Sequence, residues 1–175
     1  MRKNILLCTL CSIAFLLTFG ACNMTSESHT TPDIRYASPI TRHAADTLMI
    51  DTLLVTIGEN GYVLDTIEVG DTVCFDLMFN TGLNNMQRIH IKHDTTCSQL
   101  YYFFRDQLET LVLPSSNFET GEFLFENGVM AIRMQVGYIA TAPNKNPLLQ
   151  FNLESDSKYS PGRRTITTPI IPNKD

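Results

Sequence analysis

The chain has 175 residues, with 18 acidic side chains against 13 Lys and Arg and a formal charge of −5. That acid surplus argues against a nucleic-acid partner, which needs a basic face. Hydrophobic residues make up 43% of the chain and Trp is absent, so ten Phe and six Tyr carry the aromatic load of whatever core forms.

The first segment is an export signal. Arg2 and Lys3 form a short positive region, and Ile5 to Phe19 is a run of 15 residues without a charge. Such a run fits the apolar part of a signal peptide and is short for a membrane-spanning helix, which needs about 20 apolar residues. Cleavage after Ala21 takes away two basic residues and no acid, so the net charge moves from −5 to −7. The remaining 154 residues suit one domain of about 130 residues plus a tether.

Asn23 to Asp46 has neither a period of two nor a period of 3.6, and is rich in Ser, Thr, Pro and Ala. It is predicted to be a flexible tether (residues 22–46) spanning about 25–30 Å. From residue 47 to 175 the pattern is mostly that of strands. Leu53, Val55 and Ile57 alternate with Leu54 and Thr56, and Gly58 to Gly61 is a turn cluster before Tyr62 to Val69, which predicts a hairpin. Val73, Phe75, Leu77 and Phe79 line one face of the next strand, and Ile89 and Ile91 the apolar face of another.

Ser98 to Thr110 differs, with Leu100, Phe103, Phe104, Leu108 and Leu111 near helical spacing. A short helix is predicted over 98–110, with a strand through Tyr101-Tyr102-Phe103-Phe104 as the alternative. Asn127-Gly128 between two extended runs predicts a second hairpin. Met130, Ile132, Met134, Val136 and Tyr138 give the cleanest alternation in the chain and predict a core strand. Leu149, Phe151 and Leu153 predict another, and Arg164 to Thr168 a final edge strand before Pro169 and Pro172. Seven to nine short strands at this spacing predict an all-β fold, an antiparallel β-sandwich.

Two further signals carry resemblances. Phe19-Gly20-Ala21-Cys22 resembles a lipobox, with Phe19 where Leu is usual, and this implies lipidation of Cys22 and removal of residues 1–21. Asn23 follows the Cys, so the Asp that retains some lipoproteins at the inner membrane is missing, which points to the outer membrane. Ile67-Glu68-Val69-Gly70-Asp71-Thr72-Val73 resembles the entry to the second strand of bacterial immunoglobulin-like domains. Together these make the chain similar to small Ig-like lipoproteins of the Bacteroidetes type.

Of the five cysteines, Cys8 and Cys11 leave with the signal. Cys74 and Cys97 remain in an oxidising compartment, where a bridge would close a loop of about 24 residues and contribute about 3 kcal/mol. Two separate thiols are the alternative, because Cys74 points away from the face carrying Val73 and Phe75. Five of the ten Asp precede a Thr: Thr47, Thr52, Thr66, Thr72 and Thr95. These triplets resemble the O-glycosylation sequon of exported Bacteroidetes proteins. The alternative is that Asp ends turns and β-branched Thr begins strands.

No catalytic residue, cofactor or metal ligand set is assigned. His90, His93 and Asp94 form H-x-x-H-D, but residues three apart in a strand face opposite sides. Ser155 to Lys158 has the spacing S-x-x-K in a polar loop, where the chemistry needs a helix start. The Tyr101 to Phe104 aromatics read as core, or as a binding platform. The expected function is a non-enzymatic, lipid-anchored envelope module that binds another envelope protein or a glycan. A fibre subunit with an open edge near Arg164–Thr168, and a hydrolase built around Asp94, Glu126 or His90, are the alternatives.

Overall fold

The computed structural model describes residues 31–45, 50–58, 61–158 and 162–172. Cys22 and Thr47 lie outside the described residues, as does the signal segment. No helix among the described residues is long and apolar enough to cross a membrane.

In chain order the strands are β1 (Asp33–Tyr36), β2 (Thr41–His43), β3 (Ile50–Thr52), β4 (Val55–Gly58), β5 (Gly61–Leu64), β6 (Ile67–Glu68), β7 (Thr72–Asn80), β8 (Met86–His93) and β9 (Ser98–Tyr102). A single short helix α1 (Arg105–Glu109) follows, then β10 (Glu122–Leu124), β11 (Ala131–Ala140), β12 (Leu149–Ser155), β13 (Gly162–Thr167) and β14 (Ile170–Ile171).

Two six-stranded sheets form a β-sandwich. One runs β3-β2-β7-β11-β9, with β1 also on β7, and the other runs β10-β8-β12-β13-β5-β4. The chain-order sequence β2, β7, β8, β9, β11, β12, β13 falls into the sheets as A-B-E-D and C-F-G, the strand order of constant-type immunoglobulin sandwiches. Here β10 is added beside β8, and β5 lies parallel beside β13.

The alternation of apolar residues sets the register. In β7 and β11, Val73 faces Tyr138, Phe75 faces Val136, Leu77 faces Met134 and Phe79 faces Ile132, and all eight side chains are buried. The second sheet answers with Ile91 opposite Phe151 and Ile89 opposite Leu153. Phe75 and Phe151 meet edge to face across the gap, with ring centroids 5.5 Å apart, the arrangement that aromatic quadrupoles favour. A one-residue slip would turn every one of these side chains to water, so the pattern fixes the pairing.

Four expectations are corrected. First, β1 and β2 fall inside the stretch expected to be tether. Ile34 and Ile40 are buried in the core, and β1 and β2 both pair with β7, so Asp33–Tyr36 and Thr41–His43 belong to the folded domain rather than to a tether. Strands of four and three residues leave too little periodicity to see. Second, Asn127-Gly128 is a turn but not a hairpin. Gly128 takes φ 102, while β10 pairs with β8 and β11 with β7 and β9, so the turn carries the chain from one sheet to the other. Third, Arg164–Thr168 is not an edge, because β13 lies between β12 and β5. Pro169 does not end the pairing either: its carbonyl accepts from the Ile67 N–H at 2.9 Å, and β14 continues beside β6. Fourth, Ser98–Thr110 is a strand followed by one helical turn. Pairing of β9 with β11 claims Ser98 to Tyr102, leaving α1 to bury only Leu108.

Cys74 and Cys97 are two free thiols rather than a bridge. Cys74 stands on the outer face of β7, whereas Cys97 is buried under the β8–β9 turn, so the sheet itself separates them.

Candidate functional site

The most unusual local structure is where β9 runs into α1. Phe104 has φ 55 and ψ 38, and it is the one non-glycine residue with positive φ among those described. A bulky side chain in this left-handed region is strained, at a cost of about 1–2 kcal/mol. The strain is not offset by burial, since Phe104 is 63% exposed. Backbone bonds close the corner: Gln107 and Leu108 donate to the Phe104 carbonyl at 3.0 and 3.1 Å, and no side chain caps the helix. A strained, exposed aromatic is a feature that persists where function needs it.

Phe104 has company. Tyr101 is 55% exposed and Phe103 half-buried, and their rings meet at 90° with centroids 5.1 Å apart. They lie over the outer face of β11 because Tyr101 pairs with Gly137. A Cβ at 137 would stand 3.4 Å from Phe103 Cε2 and 3.5 Å from Tyr101 Cβ, so a larger side chain there would lift both rings. Tyr102 turns inward and is buried, packing edge to face with Phe118 and Phe123. Its hydroxyl finds no hydrogen-bond partner among the described residues, and burial pushes its pKa well up.

Three shallow grooves meet at this shelf. One, of ≈ 360 Å³, runs between α1 and β11 under Phe103 and Phe104. A second, of ≈ 430 Å³, lies between β9 and the loop carrying Phe118, with Arg105, Asp106 and Glu119 on its rim. A third, of ≈ 360 Å³, continues from Phe103 past Cys74 and Asp76 to Ser38 and His43. Arg105 sits 4.5 Å from the Phe118 ring centroid and bonds Glu109 at 2.8 Å. Asp76, itself buried, is clamped by two hydrogen bonds from Arg133 and one from Ser38 Oγ. The Arg133 bonds hold its carboxyl below the usual range, against the opposing effect of burial.

The other sequence candidates fall elsewhere. His90 and His93 stand on β8, and no group of three His, Cys, Asp or Glu among the described residues is placed to hold a metal. His93 Nδ1 is 3.0 Å from Ser98 Oγ, but that hydroxyl donates to the Asp94 carbonyl and is buried. The pair therefore pins the β8–β9 turn, and Asn144 Nδ2 binds Asp94 Oδ2 from the next loop at 2.9 Å. Burial lowers the pKa of His90 and His93 and raises those of both thiols, so neither cysteine is activated. Asp94, Glu126 and His90 line none of the three grooves. Ser155 ends β12 and accepts from the Ser157 N–H in a bend, with no helix behind it.

Of the Asp-Thr sites, Thr52, Thr66 and Thr95 are exposed and Thr72 is half-buried at the start of β7. Each neighbouring Asp has a local task. Asp51 binds Arg42, Asp65 accepts from Leu54 N–H, Asp71 from Glu68 N–H and Asp94 from Thr96. Asp71 stands just before β7, Asp65 and Asp94 lie between strands, and Asp51 lies within β3.

The sequence predicts that the Tyr101–Phe104 aromatics straddle the core with one or two half exposed; Tyr102 is buried and Phe103 half-buried, while Tyr101 and Phe104 are exposed. Gly137 was the usable signal: a glycine inside the cleanest alternating strand marks a place where something approaches closely. No family model matches the chain, and no curated protein matches it either.

Proposed function

We propose that this chain is a non-enzymatic binding module of the bacterial cell envelope, anchored by lipid at Cys22, which engages an envelope protein or glycan through the Tyr101–Phe103–Phe104 shelf. The observation that carries this is Phe104, held strained and exposed on the walls of two of the grooves. Aromatic side chains that project from a rigid sheet bind at low entropy cost, because few torsions need ordering. The grooves hold no paired acid and base and no activated nucleophile. Their ionisable groups are Asp76 clamped by Arg133, Arg105 engaged by Glu109, the exposed Asp106 and Glu119, and His43 and a Cys74 thiol whose pKa burial raises, which suit recognition more than bond cleavage.

The fibre alternative expected an open edge at Arg164–Thr168, and that strand is internal. The anchor rests on the lipobox resemblance, and labelled palmitate entering the wild-type chain but not Cys22→Ala is its direct check. For the shelf, a photoreactive phenylalanine analogue replaces Phe104 in cells of the native host, with Leu83, another exposed apolar residue, as the control site. A discrete adduct from 104 and none from 83 is expected. Equal adducts from both sites, or none from 104, would remove the shelf from the account.

A further inference from the structure

We infer that the free edge of β9 takes up an extended, basic segment of a partner polypeptide as an added strand. This rests on the shelf being the recognition surface and goes on to name the chemistry of what lies there.

The phase of the ladder shows which backbone groups are open. Phe103 donates to the Gln135 carbonyl at 3.1 Å, continuing the register in which Tyr101 faces Gly137 and Gln99 faces Ile139. Hydrogen-bonded pairs alternate in an antiparallel ladder, so these odd positions point at β11. The N–H and C=O of Leu100 and Tyr102 then point away from it. β9 ends its sheet, and neither residue's backbone has a partner among the described residues outside that ladder. Two residues thus present donors and acceptors at the spacing of an extended chain.

The other edges of the two large sheets differ, and β3 offers only the three residues Ile50–Thr52. The edge of β10 is closed by its own chain, with Leu113 donating to Leu124 and Asn117 exchanging both bonds with Glu122. β4 is open, but none of the three grooves lies along it. β9 carries no Pro, Lys or bulge of the kind that blunts exposed edges. Beside it runs the ≈ 430 Å³ groove walled by Tyr101, Phe104 and Phe118. An added strand would place alternate side chains against these rings, the usual source of specificity in strand addition.

Charge selects the occupant. Arg105 is occupied by Glu109 and stacked on Phe118. The Asp106 and Glu119 carboxylates on the same rim have no ion-pair partner among the described residues. The open charge of the groove is negative, which favours a partner strand carrying Lys or Arg between apolar residues.

The test pans random short peptides displayed on phage against the full chain. Enrichment of sequences that alternate apolar residues with Lys or Arg is expected. A synthetic copy of the best one should lose about tenfold more affinity on Leu100→Pro, which removes an outward N–H and no ladder bond, than on Leu100→Ala, which keeps it. N-methylation of alternate peptide amides makes the same distinction without touching the fold: one set should abolish binding and the other leave it. If both methylated sets bind alike, strand addition is wrong, while loss of binding on Phe104→Asn would still uphold the shelf. If no peptide enriches, the peptide partner is wrong, and the adduct formed at position 104 decides the shelf by itself.

Discussion

At the scale of single residues, Phe104 sets function against stability. An asparagine tolerates the left-handed region far better than a bulky aromatic. Phe104→Asn is therefore expected to raise stability by up to about 1 kcal/mol in urea unfolding while removing the exposed ring. A fall in stability would mean that the ring packs more than its exposure indicates. Asp76 is the second informative residue. Its folded pKa is depressed by Arg133, so its contribution is present above the unfolded value of about 3.9 and is lost as pH falls through the lower folded value. Asp76→Asn should flatten the decline of stability as pH falls below about 4. Wild type and variant are compared by urea unfolding at neutral and acid pH, and parallel declines would assign the acid sensitivity to other groups.

At the scale of elements, the long strands were legible and the short ones were not. Val73 to Phe79 and Met130 to Tyr138 announced themselves because inward apolar residues repeat at every second position over four turns of the pleat, and burial confirms Val73 to Phe79 and all but Met130 of the second set. β1 and β2 were hidden because β1 buries only Ile34 and β2 buries no side chain, below what periodicity can register. Asn127-Gly128 was correctly a tight turn, but local chemistry cannot say which strand a chain pairs with next. Long-range pairing of β10 with β8 decided that. The shelf was half-legible: the aromatic run was visible, but the division into inward Tyr102 and outward Tyr101 follows from β9 pairing with β11, and Phe104 is turned out by its left-handed backbone at the helix start. Gly137 ties the two elements. Gly137→Ala should be tolerated, since its Cβ meets only ordinary contacts at 3.4–3.5 Å, whereas Gly137→Phe should lift Phe103 and Tyr101 and cost binding without unfolding the chain. Adduct yield at position 104 reads this, and an unchanged yield in Gly137→Phe would separate the glycine from the site.

At the scale of the whole molecule, the sandwich is one core shared by two sheets, so damage at its centre should be global. Phe75→Ala or Phe151→Ala is expected to cost about 3–5 kcal/mol, lowering the midpoint of a single cooperative transition seen by both far- and near-ultraviolet dichroism. Two separate transitions would show that the sheets unfold independently. The rigid sandwich also explains how a strained corner can persist: pairing of β9 with β11 on one side and burial of Leu108 on the other fix both ends of the turn at Phe104. The most direct test of the account is capture of envelope components on the full chain, wild type against Phe104→Asn, with retained proteins and glycans quantified by mass. A component held by the wild type and lost by the variant is expected, and the variant's equal or greater stability excludes misfolding as the cause. The same components retained by both would contradict the claim that this corner is where the molecule recognises its partner.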